Sequence, residues 1–76
     1  MSRRLPILSR RKVVKALRKA GFAFDPSGGK GGHAKLVHPT RGRTTFVPSG
    51  GDVPPGTLRD IISQAGLSRD EFLALL

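Results

Sequence analysis

Cysteine, tryptophan and tyrosine are absent from this 76-residue chain, and only five of its residues are acidic. Without cysteine there is no disulfide framework and no thiolate metal site, which fits a reducing cytoplasm. The few carboxylates lie mostly in the C-terminal half, with no clustered ligand set for a hard cation and no paired acid/base couple. No apolar run approaches the ~18 residues of a membrane span. Nor does Met1-Ser2-Arg3-Arg4-Leu5-Pro6 lead into the apolar stretch of a signal peptide. These absences point to a soluble cytoplasmic protein with no membrane partner and no small-molecule cofactor.

What the chain has in excess is positive charge. Fourteen Lys and Arg give a net charge of +9. The distribution is lopsided: residues 1–43 hold twelve of them against Asp25 alone, while residues 44–76 carry a balance of −2. Such asymmetry predicts a basic face on the N-terminal half and a polyanionic partner, with RNA the first candidate. Each phosphate it neutralised would release counterions and steepen the salt dependence of binding. The whole chain, residues 1–76, is read as one domain, with 1–8 a flexible basic lead-in. A chain this short buries roughly 60% of its unfolded surface, enough for one small core.

Ser9 has the position and chemistry of a helix N-cap. Val13, Val14, Leu17 and Ala20 follow at helical spacing, and Gly21 supplies a left-handed stop. Arg11, Lys12, Lys15, Arg18 and Lys19 fall on the opposite face. Phe22 to Asp25 alternates as a short strand with Phe22 and Phe24 inward, and 26–32 is a glycine-rich loop. The stretch 33–38 is a second strand, with Ala34 and Leu36 inward and His33, Lys35 and Val37 outward. After a turn at 39–42, residues 43–47 form a third strand. Keeping Leu36 and Phe46 on the same core face pairs 36 with 46, 35 with 47 and 37 with 45, and by extension Ser49 with His33.

Residues 48–54 read as a loop. Pro55 suits a first helical turn, Leu58, Ile61, Ile62 and Ala65 make the next apolar stripe, and Gly66 ends it. Ser68 and Glu71 have capping-box spacing and start a short tail helix. The order α-β-β-β-α with a short C-terminal helix predicts an α+β fold, a two-layer sandwich. All four Phe are assigned to the core or tail, which leaves no aromatic platform for stacking bases.

The chemistry centres on Gly28-Gly29-Lys30-Gly31-Gly32-His33, a glycine loop that presents an imidazole at the head of a strand. His33 and His38 are five apart on one strand and point to opposite faces, so they cannot share a metal ion. The loop lacks the Gly-Lys-Ser/Thr ending of a phosphate-binding P-loop and does not run into a helix. No Ser/His/Asp set has a workable spacing. What remains is a histidine among cations. RNA is cut without a metal when a base takes the 2′-OH proton, an acid protonates the departing 5′ oxygen, and positive charge stabilises the phosphorane. A histidine titrating near neutrality can fill either proton role. The candidate catalytic residue is therefore His33. Lys30, Gly31, Gly32, Lys35, Arg41, Arg43, Lys15 and Arg11 are the candidate RNA-binding residues. His38, beside Pro39, reads as a packing residue at the strand end.

The segment 55–67, PGTLRDIISQAGL, resembles the C-terminal signature of the HicA family, toxins of HicA–HicB toxin–antitoxin pairs. The front end is similar too: Val14, Leu17, Gly21 and Phe22 lead into a Gly-then-His strand start, followed by His38-Pro39. The resemblance implies a double-stranded-RNA-binding-like fold and an mRNA interferase acting without a metal through the histidine at position 33. It also implies a larger HicB-like antitoxin that covers the site. Many relatives have serine before that histidine, where this chain has Gly32. Many also carry a second histidine after the third strand, where this chain reads Pro48-Ser49-Gly50-Gly51. The leading reading is a toxin endoribonuclease. The alternatives are a non-catalytic basic RNA-binding module that reads duplex RNA by shape and a protein that only neutralises an acidic partner.

Overall fold

Ser9 opens the first helix as its cap: its hydroxyl accepts the Lys12 N–H at 3.2 Å. In this computed structural model, which describes residues 5–28 and 32–76, helix α1 runs Arg10–Lys19. Val13, Ala16 and Leu17 are buried, Val14 and Ala20 lie at the margin of the core, and Arg11, Lys12, Lys15, Arg18 and Lys19 are exposed. The first turn holds Arg10, Arg11 and Lys12 and no acid. Gly21 stops the helix at φ +105°, with the Phe22 N–H on the Leu17 carbonyl and the Gly21 N–H on that of Arg18, both 3.0 Å.

A two-residue strand β1, Leu8–Ser9, precedes α1. Of the segment read as a lead-in, Leu5 packs against the core and Leu8 is buried within it. Strands β2 (Ala23–Phe24), β3 (Ala34–His38) and β4 (Arg43–Val47) form an antiparallel sheet in that order, with β3 central. Helix α2, Pro55–Ala65, begins on Pro55 and ends at left-handed Gly66, burying Leu58, Ile61, Ile62 and Ala65. Helix α3, Arg69–Leu73, carries the expected capping box between Ser68 and Glu71 and buries Phe72 completely. The tail covers the core, and the Lys19 ammonium fastens it by donating to the Leu75 carbonyl at 3.2 Å. The architecture is the expected α+β sandwich, helices packed on one face of the sheet.

The β3–β4 register differs from the sequence reading by one residue. Leu36 lies opposite Thr45, Lys35 opposite Phe46, and His38 opposite Arg43. Two physical causes decide it. The four-residue turn 39–42 closes through the Gly42 N–H on the His38 carbonyl at 3.0 Å, with Gly42 at φ +66°, and this turn fixes the pairing that follows. Thr45 can also face inward, because its hydroxyl donates to Gln64 Oε1 at 2.9 Å on α2, so its burial leaves no unpaired donor. Val47 shares that inward face, fully buried, and Phe46 is turned out at 44% exposure.

Three further expectations are corrected. Phe24 pairs with buried Leu36 on the core-facing side. It nevertheless stays 49% exposed, since β2 is an edge strand; the Arg18 guanidinium lies 5.6 Å from the ring centroid. The stretch 48–54 is not all loop: strand β5, Asp52–Val53, pairs with β1, matching Leu8 to Val53 and Ser9 to Asp52. Ser49 lies beside Gly32 rather than opposite His33, with its Cβ 2.8 Å from where a Cβ on Gly32 would stand.

Candidate functional site

Three segments distant in sequence meet at the head of β3. His33 is exposed and immediately precedes Ala34, the first strand residue. Gly32 delivers it at φ +82°, a backbone state open to glycine and strained for other residues, and Ser49 fills the space that a side chain there would need. The Arg10 Nη2 donates to the Gly32 carbonyl at 3.4 Å, and the Arg10 backbone N–H donates to the Gly51 carbonyl at 3.0 Å. Arg10 thus ties the start of α1 to both the histidine segment and the loop 48–51. Its Nε is buried and has no hydrogen-bond partner.

Arg10 was not among the residues the sequence singled out. It stands three, four and seven positions before Val13, Val14 and Leu17, a cation at the head of the apolar stripe of α1. That placement was the available signal, because a charge on a core-facing row needs a reason to be there.

Arg11 is exposed on the same first turn, one turn before Lys15. Arg11, Val14 and Phe24 face the Gly50–Gly51 backbone across an open groove of about 420 Å³, with Arg10 along its side. Lys15 continues the basic face with Arg18 and Lys19. Lys35 is two residues from His33 and on the same side of the strand by alternation. Its ammonium sits 3.5 Å from Asp25 Oδ2. Asp25 is also held by the Ser27 hydroxyl at 2.6 Å and the Ser27 N–H at 3.0 Å. Those two Ser27 bonds, ahead of the Lys35 charge, hold the carboxyl below its ordinary range. Lys35 therefore shares its charge with an internal acid.

Arg41 and Arg43 lie elsewhere. Arg43 pairs with His38, five residues along β3 from His33, roughly 16 Å at the usual strand rise. The guanidinium of Arg43 lies against Gly66, where a Cβ would be 2.8 Å from Nε, a favourable place for a cation at the end of α2. Arg41 lies in the turn, and its charge adds to the Ser68 bonds that lower the Glu71 carboxyl. Lys30 and Gly31 lie outside the described residues.

His38 has the packing role read for it. Its ring meets Phe22 edge to face at 5.3 Å and 88°. Nδ1 accepts the Arg41 N–H at 3.2 Å and lies 3.2 Å from the Thr40 hydroxyl. Nε2 lies where a side chain on Gly21 would collide, 2.7 Å from an added Cβ.

The site is thus an exposed imidazole that follows a left-handed glycine, next to a carbonyl bound by Arg10 at the head of a cationic helix. It can bind an anion and move a proton next to it. Among the described residues no three His, Asp or Glu side chains come together as a metal-ligand set, and no helix is long and apolar enough to cross a membrane. A family model described as HicA toxin of bacterial toxin-antitoxin matches residues 10–67, from Arg10 at the site to Leu67 beyond α2. A search of curated proteins gives no match.

Proposed function

The chain belongs to the HicA toxin family, toxins of bacterial toxin–antitoxin pairs, and from that premise we propose that it is an mRNA interferase with His33 in its catalytic site. The observation that carries this reading is exposed His33 directly following Gly32, whose carbonyl accepts from the Arg10 guanidinium. In the reaction, the RNA 2′-OH loses its proton and attacks the adjacent phosphorus. The bond to the 5′ oxygen then breaks, leaving a 2′,3′-cyclic phosphate and a 5′-hydroxyl. His33 takes or returns the proton, and the cations of α1 bind the phosphate and offset the charge of the phosphorane. Ser49 is a poor proton donor at neutral pH, so the partner proton transfer falls to Lys35 or to water. A HicB-like antitoxin with an acidic surface restrains the enzyme in the cytoplasm by covering this basic end.

End-labelled single-stranded RNA incubated with the purified protein and excess chelator, beside His33→Ala, tests the reading. Wild type cuts and yields cyclic-phosphate ends. The variant folds and binds but cuts roughly 100- to 10,000-fold more slowly, the usual weight of general acid–base catalysis. Equal cleavage by a nuclease-free His33→Ala preparation removes His33 from the chemistry. Binding by both without cleavage leaves the non-catalytic RNA-binding module as the function.

A further inference from the structure

Phe24 is an aromatic ring half exposed in a groove that it lines together with two arginines, Arg10 and Arg11. The groove lies between the first turns of α1 and the Gly50–Gly51 backbone, with Arg10 and Arg11 on its flank and Val14 on its floor. Among the described residues, no carboxylate lines it. Its volume of about 420 Å³ lies within the roughly 300–1,000 Å³ of small-ligand clefts. Arg10 links it to the histidine segment, because the same residue lines the groove and donates to the carbonyl of Gly32, the residue before His33.

A half-exposed ring offers a flat apolar surface on which another ring can stack. Guanidinium groups around it select an anion. Together these features fit a ligand with an aromatic face and an adjacent phosphate. A paired helix does not offer that combination, because its base faces are stacked on one another. A single strand does, since each base has a free π-face for an aromatic side chain.

We propose that the groove formed by Phe24, Val14, Arg10, Arg11 and the Gly50–Gly51 backbone is a nucleotide subsite of the His33 site, which seats one unpaired base of single-stranded RNA against Phe24. Arg10 and Arg11 hold the neighbouring phosphate, and the next phosphodiester is brought to His33. The proposal rests on the ribonuclease reading for its substrate and names the substrate class as single-stranded. The Arg18 guanidinium near the ring, 5.6 Å from its centroid, and the incoming base can share the ring's two faces.

Binding without cleavage tests it. A short labelled strand with 2′-deoxy residues, which has no 2′-OH to attack, is titrated against wild type, Phe24→Ala, Phe24→Leu and Arg10→Gln. An abasic strand of equal length and a blunt RNA duplex serve as the comparison ligands. Phe24→Ala weakens binding of the single strand by roughly 5- to 150-fold, the weight of one stacked base. It leaves the abasic strand and the duplex unchanged. Arg10→Gln weakens the normal and abasic strands by the same factor and flattens the salt dependence by about one phosphate. Phe24→Leu, which keeps an apolar side chain at the sheet edge, separates lost stacking from lost folding when its melting curve matches wild type.

Three results overturn the subsite: equal affinity of wild type and both Phe24 variants, no cost for removing the bases, or wild type that binds duplex and ignores the single strand. None of these depends on whether His33 cuts. Conversely, an inert His33 with intact stacking would end the catalytic reading and leave the subsite standing.

Discussion

The two histidines of β3 sit five residues apart on one strand and live in opposite circumstances. His38 is enclosed by Phe22, Gly21 and the turn 39–42, with Nδ1 already bonded to the Arg41 N–H. At the other end Ser49 stands where a side chain on Gly32 would go, Arg10 donates to the Gly32 carbonyl, and His33 is exposed. One end spends its histidine on packing. The other holds it ready, and the difference comes from what surrounds each ring rather than from the residue type.

Exchanging the loss at each end should break the pairing most visibly. His33→Ala slows cleavage by roughly 100- to 10,000-fold and leaves the melting temperature nearly unchanged. His38→Ala keeps most of the cleavage and lowers stability by about 1–2 kcal/mol, as expected for losing a ring contact and a turn bond. RNA assays and thermal melts on the same two preparations check both. If His38→Ala also eliminates cleavage while remaining folded, the division between the ends is wrong.

The flanking glycines sharpen the comparison. Gly21→Ala and Gly32→Ala each put a side chain at positive φ and into a neighbour, His38 Nε2 in one case and Ser49 Cβ in the other. Each loses about 1–3 kcal/mol of stability. Cleavage by the folded fraction falls only for Gly32→Ala, because only that change shifts His33. Rates normalised to the folded fraction, from a urea titration, separate the two.

The smallest effect concerns Asp25. Its carboxyl titrates below the ordinary value in the folded state, held by Ser27 and then Lys35, so its contribution exists above the unfolded pKa and fades as pH falls through the folded one. Asp25→Asn is therefore slightly less stable than wild type at neutral pH, and the two converge in strong acid. Denaturation midpoints measured down the acid range read this directly. The same variant frees the Lys35 ammonium and tightens RNA binding modestly.

Local chemistry was legible from the sequence. The Ser9 cap, the glycine stops at 21 and 66, Pro55 at a helix start and the Ser68–Glu71 box all involve residues a few positions apart. The apolar stripe of α2 read correctly because periodicity needs no partner. The register did not, because it depends on a four-residue turn and on Gln64, nineteen positions away, accepting from Thr45. An amphipathic threonine can take a core position that a binary apolar rule assigns to phenylalanine. The pairing of β1 with β5 was hidden for a similar reason, since two residues carry no alternation. At the candidate site, the exposed position of His33 at the head of β3 was legible from its glycines. Arg10 and Phe24 were not, since a charge on an apolar row and an aromatic at an edge were each assigned by type before their neighbours were known.

The first turn of α1 holds Arg10, Arg11 and Lys12 at the positive end of the helix, with no acid to balance them. Like charges and the helix dipole repel there, so this protein carries a standing strain in the element that frames its candidate site. A polyanion bound at that turn relieves it, which makes folding and ligand binding a single linked equilibrium. The protein with nothing bound at that turn is then less stable than the occupied form, and an anionic occupant acts as a thermal stabiliser.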